Sequence, residues 1–391
     1  MPVISKRTGS DERAALLPPA LRPLFDDQFI GSWDLFEEYV ARLACDILHT
    51  TGLEEAFREA STISDAIARA CLDTAVTAIP ARWLAATLTA RGSMTHVSGA
   101  GAECYCAATP ILKEDPAEIL EAQARHDERC LPAYAIAALA AQQYPAVLRG
   151  AVTGEQALFG PEGISVWVKY FSNTNPLYAV SNQVGAIAAE TVFPDGGAIL
   201  ELGGGLGSAA QSLLEQLQRS GRAVSRYRFT EISPLFLKRA ERVLARWRVE
   251  FNLELAHLDI DLPFAQAAVQ PGAYALVYAV NVLHVAHDLA ATLREIRNSL
   301  QPGGALVISE CVRAFAGRPL PVELVFNLLK SFREPQLEPV WRPNGGFLTP
   351  EQWTLALQAN GFGNVEIFPD IAAIREDYPS FAVAAITARR V

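Results

Sequence analysis

The 391-residue sequence contains no apolar run long enough to cross a membrane. Arg, Glu, Gln or Gly interrupts each apolar stretch well before the roughly 20 residues that a membrane-spanning helix requires. The first segment, MPVISKRTGSDERAALLPP, also contains no apolar core of a signal peptide. The sequence therefore predicts a cytoplasmic protein that has no membrane partner.

Basic charge is also sparse, because lysine is rare, no basic block occurs and the formal net charge is −10. A protein that binds nucleic acid neutralises phosphates with a local surplus of Lys and Arg. The sequence therefore predicts no nucleic-acid partner. Arg333 and Arg342 are candidates for binding a carboxylate or phosphate, although we expect both to be solvated surface charges.

The cysteines form no CxxC pair, which makes a disulfide framework or a four-cysteine zinc site a poor interpretation. We expect reduced, mostly buried thiols at the six positions Cys45, Cys71, Cys104, Cys106, Cys130 and Cys311.

The N-terminal part of the chain has helical spacing of its apolar residues. Three helices are predicted, in WDLFEEYVARLACDILHTTGLEEAF, in STISDAIARACL after a Ser/Thr cap, and in IPARWLAATLTARG before a Gly stop signal. The stretch SMTHVSGAGAECYCAATP resembles a hairpin, so the order of elements predicts a winged-helix-like domain. Residues 1 to about 25, which are Pro-rich and charged, are predicted to be a tail.

Winged-helix domains often bind DNA, and the local charge argues against this function here. The fixed charges between residues 61 and 110 are Arg69, Arg82 and Arg91 against Asp65, Asp73 and Glu103. Because this balance leaves no basic footprint, we expect the domain to form a homodimer, to pack on a catalytic domain or to serve as a substrate lid. A Gly/Pro-punctuated connector, GEQALFGPEG, places the predicted domain boundaries at 1–160 and 161–391.

The second domain alternates strand-like and helix-like segments, from AILEL through GALVISE to FAVAAITARR. Such a βαβ series predicts an α/β fold, a Rossmann-like, mostly parallel sheet of seven strands whose last two strands close one edge as an antiparallel pair. In a sheet of this type the ligand lies over the carboxyl ends of the strands.

The first strand ends in ELGGGLG, where glycines allow a sharp turn and a close approach to a ligand. Glu201 beside this turn would repel a pyrophosphate but suits a ligand that carries an amino group or a sulfonium. Further acids end the next two strands, Glu231 in FTEIS and Asp259 and Asp261 in HLDIDLPF. They fit two ribose hydroxyls and an adenine amino group, although strand-end acids can also be plain solvated groups.

This set resembles the class I S-adenosylmethionine-dependent methyltransferases, in which ELGGGLG takes the place of the acidic-Gly-x-Gly-x-Gly turn. The resemblance implies S-adenosylmethionine as the cofactor. Its contacts are then Glu201, Gly203, Gly205 and Gly207 at the methionine part, Glu231 at the ribose and Asp259 at the adenine, and Asn281 is counted with them. The interval from the glycine turn to Glu231 is longer than is usual.

The stretch VYAVNVLHVAHDLAATLREIRNSLQPGGALVISE resembles the C-methyltransferase domains of polyketide synthases. The likeness extends from about Tyr144 to Pro369, and it implies a free-standing relative that methylates an enolisable, β-keto-like carbon of a small-molecule or carrier-tethered acyl substrate in specialised metabolism. His284 and Glu310 end neighbouring strands, where a carboxylate on one imidazole nitrogen makes the other a general base. The resemblance assigns His284 as the base and Glu310 as its orienting partner.

An oxyanion that develops at the acceptor needs a hydrogen-bond donor. Tyr178 in NPLYAVSN is the leading catalytic candidate, and Asn182, Asn281 and Tyr170 are further ones.

Other interpretations stay open at this point. His284 can start a helix, Glu310 can cap one, and His287 can join His284 in a metal site of two histidines and a carboxylate, although we predict no metal. An O- or N-methyltransferase with a helical dimerisation domain is the alternative enzyme. A winged-helix regulator that binds the cofactor without catalysis is the alternative of another class.

Overall fold

The computed structural model describes residues 16–99, 102–108, 111–379 and 381–391. The described chain divides into two compact units. Residues 28–170 and 317–333 form the first, called the helical unit, and residues 16–27, 171–316 and 334–391 form the second, called the sheet unit. The division at 160 stays a prediction, and the observed units change over between Tyr170 and Phe171.

The elements before residue 171 are mainly helices. They are α1 (Asp27–Thr51), α2 (Leu53–Ala56), α3 (Ile63–Arg69), α4 (Thr74–Ala90), β1 (Met94–Gly99), β2 (Ala102–Ala107), α5 (Pro116–Asp127), α6 (Leu131–Leu148), α7 (Gly154–Leu158) and α8 (Pro161–Tyr170). Within the described ranges, no helix of either unit has the length and apolar character that crossing a membrane demands.

Local signals explain most of these boundaries. Thr62 caps α3 by accepting the N–H of Asp65, as the Ser/Thr signal predicts. Helix α4 begins five residues before the predicted Ile79, because Asp73 caps it and Pro80 is tolerated inside it. The hairpin is confirmed, since β1 and β2 pair antiparallel from Met94↔Ala107 to Gly99↔Ala102. Ala100 and Gly101 of its predicted turn lie outside the described residues.

All six cysteines are free thiols. Only Cys45 and Cys130 are buried, and Cys71 is exposed. The expectation that most thiols are buried is therefore wrong.

The elements from residue 171 onward alternate helix and strand. They are α9 (Pro176–Val192), β3 (Ala198–Leu202), α10 (Ser208–Arg219), β4 (Arg226–Glu231), α11 (Pro234–Val243), β5 (Leu253–His257), β6 (Tyr274–Val280), α12 (Leu289–Ser299), β7 (Leu300–Cys311), α13 (Glu323–Phe326), α14 (Lys330–Arg333), α15 (Pro350–Ala359), β8 (Phe362–Phe368), α16 (Ile371–Ile374) and β9 (Val383–Arg390). Helices α13 and α14 belong to the helical unit.

The sheet has seven strands in the order β5-β4-β3-β6-β7-β9-β8. Strands β3 to β7 run parallel, and β9 pairs antiparallel with both β7 and β8. The predicted Rossmann-like fold is confirmed, including its antiparallel edge. All seven residues of β6 are buried, as expected for a central strand covered on both faces.

The strand order reverses between β3 and β6, since the chain builds β4 and β5 on one side of β3 and then crosses to the other. Ligands of such sheets bind at the carboxyl ends of the strands beside this reversal. The segments that follow β3, β4, β6 and β7 therefore meet at one edge.

The described part of the predicted N-terminal tail packs in the sheet unit. Leu17, Leu21 and Phe25 are spaced four residues apart and are all buried. The Phe25 ring lies 4.4 Å from that of Phe381. The prediction of a tail is thus wrong for residues 16–25, because this apolar spacing was masked by the prolines around it.

We expect Gly204→Ala to lower the free energy of unfolding by about 2 kcal/mol, as overpacking does. A Cβ at this position would lie 2.1 Å from the rigid Phe229 ring. The matched control is Gly272→Ala, where φ is +67° but no atom lies within 4 Å, so only left-handed strain of about 1 kcal/mol applies. Urea unfolding of both variants measures the difference, and equal losses would contradict the close approach.

Candidate active site

The turn after β3 brings bare backbone toward the ligand edge. Gly203, Gly205 and Gly207 have φ values of +57°, +58° and +88°, a region that favours glycine. A Cβ on Gly203 would lie 2.3 Å from Val282 Cγ2, whereas one on Gly205 would meet no atom within 4 Å. The turn is therefore packed on one side and has open space at Gly205.

Glu231 ties this turn to the end of β4. It is 6% exposed, and its carboxylate accepts the N–H of Gly205 at 2.9 Å and that of Ser233 at 2.8 Å. The long interval before Glu231 is taken up by α10 and residues 220–225, so it does not displace the acid. The side chain thus lies beside the glycine turn.

Glu201 is buried at the end of β3 with one carboxylate oxygen unused. The Tyr227 hydroxyl donates to Oε2 at 2.8 Å, and Oε1 has no hydrogen-bond partner of good geometry among the described residues. The pKa of Glu201 is raised to about 8, mainly by burial. The Tyr227 hydrogen bond and the Ala210 amide act to lower this pKa, and the charge of Glu231 acts to raise it. A cation placed at Oε1 would satisfy this oxygen and favour the charged form.

Asp259 lies two residues beyond β5 and is half-buried. It accepts the N–H of Asp261 at 2.9 Å, and Asp261 in turn accepts the N–H of His287 at 2.7 Å. Among the described residues, these two hydrogen bonds link Asp259 and Asp261 only to each other and to His287, and not to the acids or glycines at the ends of β3 and β4. The adenine role of Asp259 stays a prediction.

His284 and Glu310 meet, as their strand-end positions predict. His284 lies in a single 3-10 turn, Leu283–Val285, after β6, and Glu310 lies at the end of β7. The imidazole Nδ1 is 2.6 Å from Glu310 Oε2, and the two residues are 2% and 0% exposed. Glu310 Oε1 accepts the N–H groups of Val282, Leu283 and His284 at 3.0, 2.9 and 3.4 Å.

This arrangement fixes one tautomer of the imidazole. A carboxylate can only accept hydrogen bonds, so Nδ1 must carry the proton that it donates to Glu310. The neutral ring then has its lone pair on Nε2, the atom of a general base.

Asn281 links the ends of β6 and β7. Its φ is +51°, its N–H donates to the Ser309 carbonyl at 2.8 Å, and its Oδ1 accepts the N–H of Cys311 at 3.3 Å. The side-chain oxygen is thus occupied within the protein. The predicted cofactor or oxyanion role of Asn281 stays a prediction.

Tyr178 on α9 shares the electrostatic environment of the strand-end acids. Burial, followed by the charges of Glu201, Cys311, Glu231 and Glu310, raises the pKa of its phenol well above its ordinary value. The hydroxyl therefore keeps its proton and can donate a hydrogen bond.

The other oxyanion candidates have different surroundings. Asn182 is buried and donates to Asn173 Oδ1 at 2.8 Å, and its own Oδ1 has no partner among the described residues. Tyr170 belongs to the helical unit, where its ring packs on Trp167.

Sequence reasoning missed two residues of this region. Tyr227, the partner of Glu201, lies in the strand-like segment RYRFTEI, where no motif singles it out. Arg342 was expected to be a solvated surface charge, but it is 0% exposed and donates to the carbonyls of His284 and Ala286, both at 2.7 Å. Arg333 lies in the helical unit, where it donates to the carbonyls of Asn327 and Leu328.

The histidine-metal interpretation gains no support from the geometry. His287 Nδ1 contacts the Glu334 carbonyl at 3.0 Å. Within the described ranges, no group of three or more His, Cys, Asp and Glu residues is arranged to hold a metal ion.

Residues 200–306 match the family model described as a methyltransferase domain, and this segment includes the glycine turn, Glu231, Asp259 and His284. The chain carries a methyltransferase domain. The match confirms the predicted enzyme class, an S-adenosylmethionine-dependent methyltransferase, and its cofactor.

A curated relative and two solved structures resemble more of the chain than this domain. Highly reducing polyketide synthase 2 of Gibberella zeae is 26% identical over 278 residues, which are 70% of this chain and 10% of that protein. The chain thus spans only about a tenth of this synthase.

The CurJ carbon methyltransferase is 22% identical, with a TM-score of 0.75 and 98% of each chain covered. The trans-methyltransferase CalH, solved with SAH, is also 22% identical, with a TM-score of 0.62 and coverage of 97% of this chain and 95% of that one. At such identities these likenesses establish the fold. Together with the match to the synthase and to the methyltransferase domain model, the likeness to the CurJ carbon methyltransferase confirms the predicted resemblance to the C-methyltransferase domains of polyketide synthases.

We expect the stability of the ligand-free protein to fall as pH rises from about 4.5 to 8, because of Glu201. Its pKa is about 8 in the folded state against 4.5 in the unfolded chain, so the folded state binds the extra proton in this window. Glu201→Gln should remove this part of the pH dependence, and the exposed Glu254→Gln should retain it. Urea unfolding at pH 5, 6, 7 and 8 measures it, and parallel curves for the wild type and Glu201→Gln would contradict the assignment.

Proposed function

We propose that this chain methylates the enolisable carbon of a β-keto acyl thioester, with His284 as the general base. The observation that carries the proposal is the buried hydrogen bond of 2.6 Å between His284 Nδ1 and Glu310 Oε2. It supports an imidazole that is protonated at Nδ1 and accepts a proton at Nε2, and the carboxylate stabilises the imidazolium that forms when Nε2 takes a proton from a carbon acid between two carbonyl groups.

The strand-end residues fit S-adenosylmethionine. The unpartnered Oε1 of Glu201 suits the ammonium of its methionine part, and the open space at Gly205 allows that part to approach the backbone. Glu231 has lone pairs left for the ribose hydroxyls after accepting two amides. When bound, the cofactor supplies a methyl group on a sulfonium, a centre that accepts the electron pair of a nucleophile.

The residues of the chain prepare the acceptor for that transfer. His284 Nε2 takes the proton from the carbon between the two carbonyls, and the electron pair of that C–H bond passes to the enolate. Glu310 holds the resulting imidazolium through Nδ1 and balances its charge. The Tyr178 hydroxyl, which keeps its proton, donates to the enolate oxygen in this proposal.

The acceptor class follows from this chemistry and from the relatives. A second carbonyl makes the carbon more acidic, so a histidine-carboxylate base removes its proton more readily. Polyketide synthases, to which the chain is similar, are named for products of that type. We therefore propose a β-keto acyl group, tethered to a carrier protein through a thioester, as the substrate and that carrier as the partner.

We expect His284→Asn to lower the rate of methylation of acetoacetyl-N-acetylcysteamine at least 100-fold, the usual worth of a general base. Asparagine retains a side-chain donor toward Glu310 but has no group in the place of Nε2. The control is His287→Asn, three residues along the same segment, which should stay within threefold of the wild type. Affinity for S-adenosylhomocysteine, measured by calorimetry, should be unchanged in both variants.

The product decides between carbon and oxygen acceptors. With a ¹³C-labelled methyl donor, a carbon-bound methyl in the NMR spectrum supports the proposal, and an O-methyl or N-methyl signal favours the alternative enzyme. Methylation by His284→Asn within tenfold of the wild type would falsify the base assignment. No methyl transfer, together with a salt-sensitive gel shift of DNA, favours the regulator.

A further inference from the structure

Segment 334–349 of the sheet unit lies against the turn that bears His284. Its first part joins the backbone after that turn, since the N–H of Gln336 donates to the His287 carbonyl at 2.7 Å. Its last part places the Phe347 ring on the imidazole of His284, with centroids 4.6 Å apart. Arg342 lies between these two contacts in the sequence and is fully buried.

Arg342 bridges two carbonyls of the His284 turn. One terminal nitrogen donates to the carbonyl of His284 and the other to that of Ala286, each at 2.7 Å. Carbonyls at the end of a single helical turn have no partner within it, so the guanidinium fork provides the hydrogen bonds that the turn lacks. One of these carbonyls belongs to His284, whose side chain is hydrogen-bonded to Glu310.

The arginine is itself held in place. Its N–H donates to the Glu338 carbonyl at 2.7 Å, and the Glu338 N–H returns a bond to its carbonyl at 3.0 Å. Burial lowers the pKa of Arg342 to about 10, against the opposing charges of Asp261, Glu310 and Asp288. The side chain therefore stays a cation at neutral pH.

Its burial is not optimised for stability alone. The Nε–H has no hydrogen-bond partner among the described residues, which is a cost for a buried donor. A hydrophobic side chain of similar size would avoid this cost, but it would leave two carbonyls of the His284 turn without donors.

We propose that Arg342 is a positioning residue, which fixes the backbone of the His284 turn so that the imidazole keeps one orientation against Glu310. This inference rests on the proposed role of His284. Removing the guanidinium leaves the carbonyls of His284 and Ala286 without their donor, so the turn becomes more mobile. The hydrogen bond between Glu310 and His284 Nδ1 is then formed only part of the time. Proton transfer depends on placement to within a fraction of an ångström, so the chemical step suffers more than binding.

The test compares three variants on acetoacetyl-N-acetylcysteamine. We expect Arg342→Met to lower kcat 10- to 100-fold, with KM for the cofactor and affinity for S-adenosylhomocysteine within threefold of the wild type. Arg342→Lys, which keeps the charge and can reach one carbonyl, should recover part of kcat.

Arg228→Met is the matched control. Arg228 lies in the same unit and also bridges two backbone carbonyls, those of Ala267 and Ala268, with an unpartnered Nε. It lies outside the proposed machinery, so its loss should reduce stability but leave kcat within twofold.

The ¹⁵N spectrum of the imidazoles gives a readout that a merely structural role would not move. The protein has only six histidines, and the signal that disappears in His284→Asn identifies the ring. We expect one tautomer, protonated at Nδ1, in the wild type and a mixture of two in Arg342→Met.

The outcomes separate this inference from the proposed function. If His284→Asn abolishes methylation but Arg342→Met keeps kcat within threefold and a single tautomer, only the role of Arg342 is wrong. Equal losses of kcat in Arg342→Met and Arg228→Met also overturn it. If Arg342→Met does not fold, wild-type kcat and an unchanged spectrum in Arg342→Lys overturn it. If His284→Asn stays active, the proposed function is wrong, and the role of Arg342, which depends on it, is wrong as well.

Discussion

The hydrogen bonds of the Glu310 carboxylate hold the turn that bears His284, and the proposed catalytic arrangement depends on them. One oxygen accepts three consecutive backbone amides, and the other accepts the imidazole of His284. The residue is fully buried, so its charge has to be satisfied inside the protein. Four hydrogen-bond donors and the nearby Arg342 cation do this, and in doing so they fix the turn that follows β6.

The strand order brings this turn to the edge of the sheet where ligands of such folds bind. Because β3 and β6 are neighbours, the glycine turn and the His284 turn leave the sheet side by side, and Val282 packs directly against Gly203. Glu201 and Glu231 end strands on one side of the reversal, and the His284-Glu310 pair lies on the other. A parallel sheet thus places the groups that we propose for the methyl donor and those that we propose for the acceptor on opposite sides of the reversal, at one edge.

The sequence contained the local part of this information. The alternation of strand-like and helix-like segments predicted all seven strands, and the strand-end positions of His284 and Glu310 predicted their meeting, because parallel neighbours end at the same edge. Long-range packing was not visible in such patterns. Nothing near Arg342 in LEPVWRPNGG indicates that the segment folds back on the His284 turn, and nothing local shows that residues 317–333 join the helical unit. The Tyr227 bond to Glu201 was hidden because a buried tyrosine fits a strand pattern equally well.

The central claim, that His284 and Glu310 form a base for a carbon acid, is tested most directly by proton exchange without methyl transfer. The protein saturated with S-adenosylhomocysteine is mixed with acetoacetyl-N-acetylcysteamine in D₂O, and loss of the C2 proton signal is followed by NMR. The account predicts exchange well above the buffer rate for the wild type, and a rate near that of buffer for His284→Asn and for Glu310→Gln. Exchange at the buffer rate with the wild type, or undiminished exchange with His284→Asn, would contradict it.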